Sequence, residues 1–226
     1  MTGIDLDLNT TAVDRQRGLE TPRAAGVAGL AFAVLFIASI VLLRSHPSGA
    51  STAAEIRHFY LGKHAGQVSL VGVYLAPFSG IAFLWFIAVI RNLIGDREDR
   101  FFATVFLASG LLFVAMLFVA AGVGGALLAA VKFQHEPVPS QDAVVLVRSF
   151  AFGFLFIYAM RMAAVFMIVV STIGLRLGIF PRWLVFTGYG AALVLILNVS
   201  YAAALTLVFP VWVAAVSVLI LRTARA

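Results

Sequence analysis

The chain contains no cysteine, which excludes disulfides, thiolate metal sites and cysteine nucleophiles. It is also poor in charge: only 12% of its 226 residues are Asp, Glu, Lys or Arg, about half the share of an ordinary globular domain. None of the ten carboxylates falls inside a long apolar tract, so no chain of intramembrane acids is present to relay protons. HExxH and GxSxG are absent too, and with them the usual zinc-hydrolase and serine-hydrolase signatures. Gly122-Val123-Gly124-Gly125 lacks the lysine and the strand-to-helix setting that a phosphate loop requires. No cofactor is expected.

What fills the space is apolar. Hydrophobic residues make up 62% of the chain and the mean hydropathy is +1.05. A soluble domain of this size would expose large sticky patches; a bilayer removes the problem by acting as the solvent. The expected fold is an all-α, polytopic membrane helix bundle. The net charge of +6 comes from 16 basic residues against 10 acidic ones. Those basic residues stand at the ends of apolar runs, where they set topology and meet headgroups, so nucleic acid is not an expected partner.

A helix needs about 20 apolar residues to cross the hydrocarbon. Apolar tracts at 24–43, 67–90, 101–131 and 149–175 meet that demand. A last tract, 183–221, is about twice the needed length. It should reverse at its only polar interruption, Asn198-Val199-Ser200-Tyr201, giving spans 183–198 and 203–221. Six transmembrane helices are thus predicted within a single membrane domain, 24–221. Segment 1–23 is expected to be a disordered cytoplasmic tail, and 222–226 a second cytoplasmic tail. The first tract is longer than the roughly 7–15 residues of a signal-peptide core and lacks a small-residue cleavage site, so it is expected to be retained.

With the N-terminus inside, the inner segments hold ten basic residues and the outer ones five. The positive-inside rule then places both termini in the cytoplasm. In the first outer loop, Thr52-Ala53-Ala54-Glu55 reads as a capping box. A short helix should follow, presenting Ile56, Phe59 and Tyr60 on one face. It is expected at the outer interface, against headgroups or the bundle. The second outer loop, 133–143, contains Pro137 and Pro139 and should be irregular. The inner loop with Asp96, Arg97, Glu98, Asp99 and Arg100 reads as a solvated turn whose signs cancel.

The remaining basic residue, Arg161, sits near the middle of the fourth tract. A charge at that depth costs ~2.5–3.5 kcal/mol on insertion scales, so it should face the bundle interior, paired or hydrated. With no carboxylate in any tract, the candidate partners are Tyr158, Tyr189, Asn198, a backbone carbonyl freed at a kink, or an anionic ligand. Pro77 and Pro210 are the places where a kink would free such a carbonyl. Arg161, Tyr158, Tyr189 and Asn198 therefore form the candidate binding set, with a structural clamp as the simpler alternative. Gly26, Gly29 and Ala33, and further on Gly122, Gly125, Ala126 and Ala129, recur at helical spacing and should let helices pack closely. His46, His58, His64 and His135 fall on the outer side with Glu55, Glu136 and Asp142. Exposed histidines explain that pattern more simply than a zinc or copper site, because His58 and His64 are poorly spaced for one helix face, and no metal is expected.

Arg161-Met162-Ala163-Ala164-Val165-Phe166-Met167, Ser171-Thr172-Ile173, Leu175-Arg176, Pro181-Arg182-Trp183-Leu184 and Gly188-Tyr189 resemble a family of uncharacterised small multi-pass bacterial membrane proteins. The Leu84-Trp85-Phe86 block and its following charged loop are similar to it as well. The resemblance implies a bacterial inner-membrane setting and no particular activity. The expected function is that of a non-enzymatic membrane protein, an accessory or lipid-binding component. Its partners would be membrane lipids, and a membrane-protein partner or second copy is a further possibility. The alternative is a small transporter or channel for an anionic solute using Arg161; an enzyme acting on lipid has least support.

Overall fold

A computed structural model describes residues 22–43, 50–94, 100–198 and 203–223. The N-terminal tail, His46, the acidic inner loop at 96–99, the reversal at 199–202 and the last three residues lie outside the described residues. All regular structure among the described residues is helical.

The helices are α1 (Pro22–Leu43), α2 (Ala53–Leu61), α3 (Lys63–Ile94), α4 (Arg100–Phe133) and α5 (Gln141–Phe152). A π-helical segment, Gly153–Ala159, leads into α6 (Met160–Arg176). α7 (Arg182–Leu197), the single turn α8 (Ala203–Thr206) and α9 (Val208–Thr223) complete the chain. Four stretches are long and apolar enough to cross a membrane: Tyr74–Asn92, Arg100–Phe133, Gln141–Arg176 and Ala204–Thr223. Two further apolar helices, Gly26–Leu42 and Arg182–Leu197, are shorter.

Three serines in the interior are satisfied within their own helices. Ser79 Oγ donates to Ala76 O at 2.8 Å, Ser109 Oγ to Phe106 O at 3.1 Å and Ser217 Oγ to Val213 O at 2.7 Å. This is the economical solution where no water is at hand. What joins the helices is mainly aromatic. Phe32 of α1, Phe83 of α3, Phe113 of α4, Phe166 of α6 and Phe209 of α9 are all fully buried. The Phe83 ring centroid lies 4.7 Å from Phe32, 5.1 Å from both Phe113 and Phe166, and 5.5 Å from Phe209. One residue thus touches four other helices.

The expected small-residue contacts form on the first helix. A Cβ on Gly29 would overlap Ser217 Oγ and sit 2.7 Å from the Phe86 ring, so α1 meets α3 and α9 at nearly backbone distance. Gly122 of α4 is different: nothing lies within 4 Å of where its Cβ would be. Its spacing matches a packing motif, yet it faces no neighbour.

The structure also moves several boundaries. Gln141 begins a helix eight residues before the fourth apolar tract, because Ser140 Oγ accepts the Ala143 N–H at 3.3 Å and caps it. The irregular stretch shrinks to 134–140, opened by His135 at φ 61° and by the Glu136 N–H bonding Ala130 O. Helix α3 continues through Pro77. Pro210 lies in the Ala204–Thr223 stretch but in the first turn of α9, where a missing N–H costs nothing, so it does not kink the helix from within.

Phe83→Ala should lower stability by about 3–5 kcal/mol, the usual cost of emptying a buried phenylalanine site. Truncating Phe186, which is 63% exposed, should cost under about 1 kcal/mol. Thermal unfolding of both variants in the same detergent would check the contrast; equal losses would contradict the central role of Phe83.

Candidate functional site

The sequence expects Tyr158, Tyr189 and Asn198 to converge on Arg161; the structure turns Tyr158 outward and joins Tyr189 to Thr172 instead. Arg161 follows the π segment directly, and its Nη1 donates to Ile157 O at 3.0 Å. Ile157 lies within that segment, where the ladder changes from five-residue to four-residue spacing; the Met160 N–H reaches the same carbonyl. The partner is therefore a carbonyl of Arg161's own helix, not one freed at Pro77 or Pro210. Nor does Arg161 sit among the fully buried residues. It is part-exposed, on a stripe with Val165, Ile168 and Thr172, while Met160, Ala163 and Ala164 turn to the core.

Tyr158 is 57% exposed and points away from the bundle. Tyr189 pairs its hydroxyl with Thr172 Oγ1 at 2.8 Å. Thr172 is eleven residues past Arg161, roughly 16 Å along the helix. Asn198 ends α7, its N–H bonding Val194 O at 3.0 Å. Beside the Thr172–Tyr189 pair, Ser171 Oγ and Trp212 Nε1 are buried with no hydrogen-bond partner. A Cβ on Gly188 would overlap Ser171 Oγ and lie 2.9 Å from Trp212 Nε1. No space remains there for a ligand, so this is a tight three-helix crossing. Among the described residues no three His, Asp or Glu side chains gather as metal ligands.

The principal cavity lies elsewhere, where α1, α3, α4 and α5 meet beneath α2. It encloses about 70 Å³ and is partly open, several times the 10–15 Å³ that one water needs. Phe36, Ile40, Ala76, Leu117, Ala121 and Leu155 are among its apolar lining residues. Ser39, Tyr60 and Arg148 bring polar atoms. Arg148 is the one charged residue among those lining it, and its guanidinium lies 4.3 Å from the centre of the Phe152 ring.

Each wall has a local cause. From α5 into the π segment, Val144, Val147, Arg148, Ala151, Phe152 and Leu155 recur at three- and four-residue spacing, so one helix face lines the cavity. Tyr60 arrives on α2, which starts where the capping box forms: the Glu55 N–H bonds Thr52 Oγ1 at 3.3 Å and the Thr52 N–H bonds Glu55 Oε2 at 2.7 Å. The face of Ile56, Phe59 and Tyr60 then turns to the bundle, packing with Leu128 and Val144. Lys132 Nζ donates to Gly62 O at 3.3 Å and ties the joint between α2 and α3 to the end of α4. Burial pushes the Tyr60 phenol above its ordinary pKa, and the group, neutral near pH 7 in either case, is a hydroxyl there.

By hydropathy Arg148 is a topology charge outside the fourth tract. The signal that it belongs to a site is nonetheless present: a basic residue amid apolar neighbours at helical spacing. That signal needs a helix starting at Gln141, and hydropathy alone does not supply one. No family model, curated protein or solved structure matches this chain, so the reading of the cavity rests on its own residues.

Arg161→Leu removes a charged donor from a backbone carbonyl, a loss of about 1.5 kcal/mol. The unfolding temperature should fall by roughly 3–6 °C, with lipid occupancy unchanged by native mass spectrometry. An unchanged unfolding temperature with lost ligand would reverse the assignment.

Proposed function

We propose that this chain is a non-enzymatic, multi-pass protein of the bacterial inner (cell) membrane whose bundle holds the acyl chain of a membrane lipid. The cavity under α2 carries the reading. An apolar cavity stays dry and favours an apolar occupant, and in a bilayer the abundant one is an acyl chain. The short loops support an accessory role over catalysis. The anion-transporter reading has less support, because a donor of Arg161 is committed to Ile157 O and Tyr158 faces outward.

In this reading six helices cross the bilayer as one membrane domain. The 22 residues of α1 give roughly 33 Å of rise, enough for a hydrocarbon core of about 30 Å. α7 has 16 residues and gives roughly 24 Å, so the bilayer thins around it. Both termini lie in the cytoplasm, as the basic residues direct. α2 then sits at the outer interface as a cover over the cavity.

Filling the cavity tests the function. Protein purified in mild detergent should carry lipid in native mass spectra, and Ala121→Phe should lose it while keeping its unfolding temperature within a few degrees. Lipid retained by the filled variant would sink the reading. Orientation is checked separately with reporters fused after Ala226: a fluorescent protein should fold and glow, and a periplasm-dependent phosphatase should stay inactive. The opposite pattern would invert the topology.

A further inference from the structure

The lipid-cavity reading leaves the headgroup open, and the placement of Arg148 specifies it. Arg148 shares one helix face with Ala151, Phe152 and Leu155, so its guanidinium stands one to two turns above the apolar wall. Helix and π segment run on without a break from Gln141 to Arg176. Arg148 is 28 residues from Arg176, roughly 40 Å of rise, whereas the hydrocarbon core is about 30 Å thick. With Arg176 at the inner boundary, Arg148 stands at the outer headgroup layer and Leu155 in the hydrocarbon below it.

We infer that the cavity selects a lipid with an anionic, phosphate-bearing headgroup, with Arg148 as the residue that determines the selection; this rests on the lipid reading above. Three features support it. Among the described residues that line the cavity Arg148 is basic and none is acidic. The guanidinium lies against the Phe152 ring, an arrangement that holds its plane while its edge donors serve a phosphate in fork geometry. The Tyr60 hydroxyl lines the same cavity as a second donor. A zwitterionic lipid places an ammonium beside the same arginine and loses much of this attraction, and inorganic phosphate lacks the chain that the apolar wall takes up.

The test is a titration of detergent-purified protein with phosphatidylglycerol and with phosphatidylethanolamine of matched chains, read by native mass spectrometry. Wild type should bind phosphatidylglycerol about tenfold more tightly. Arg148→Gln should bind both lipids at the weaker level, Arg148→Lys should keep part of the preference, and millimolar inorganic phosphate should not displace the lipid. Equal binding of the two lipids by wild type, or a preference kept by Arg148→Gln, overturns the inference while leaving the lipid reading intact, since Ala121→Phe would still abolish both. Displacement by phosphate alone overturns it in favour of a free-anion site. A lipid-free dimer assigns the cavity to a second copy and ends both readings. Should Arg148→Gln not fold, the wild-type preference decides alone.

Discussion

Phe83 and the rings around it hold this bundle together. Within a bilayer, lipid tails are as apolar as leucine, so burying one helix against another gains little from the hydrophobic effect. Association then depends on how well surfaces fit. Flat rings fit closely, and each well-placed pair adds ~0.5–1.5 kcal/mol beyond the area it covers. Phe83 makes such pairs with rings on four other helices. The cavity depends on the same cluster, because Phe36, whose ring lies 5.5 Å from Phe32, forms part of its wall. A rigid aromatic floor keeps that space from collapsing.

The π segment is the second device. A helix that passes from four- to five-residue spacing and back changes the direction in which its later side chains point. Upstream, the face with Val144, Arg148 and Ala151 lines the cavity; downstream, Met160, Ala163, Ala164 and Met167 fill the core. Arg161 donates to a carbonyl inside the changeover. A charge that is costly in the membrane thereby has a geometric role, since it holds the turn that lets one helix serve two different surfaces.

Much of the helical plan was legible in the sequence, because hydropathy reports where a chain prefers lipid. The Thr52–Glu55 box was legible too, since capping is a local interaction among four residues. So was the close approach at Gly26 and Gly29, although the same spacing at Gly122 marks a face with no neighbour. The phenylalanine cluster was not legible: its members lie on five helices, and nothing local says which rings meet. The π segment was equally hidden, as Gly153–Ala159 reads as ordinary apolar helix. Pro210 misled because hydropathy smooths over the break at Leu207 that puts it in a first turn. The binding set around Arg161 rested on the high cost of one charge, and it pointed away from Arg148, a charge that hydropathy places outside the fourth apolar tract.

The capping box and the apolar face of α2 have a consequence for how the protein is made. Ile56, Phe59 and Tyr60 pack on Leu128 and Val144, which leave the ribosome roughly 70–90 residues later. At about 5–20 residues per second, the newborn helix waits on the order of 10 s for its seat. During that interval α2 has its capping box but not its seat, and its greasy side must rest on lipid or on the insertion machinery. The box thus biases α2 toward winding before the wall it covers has been synthesised.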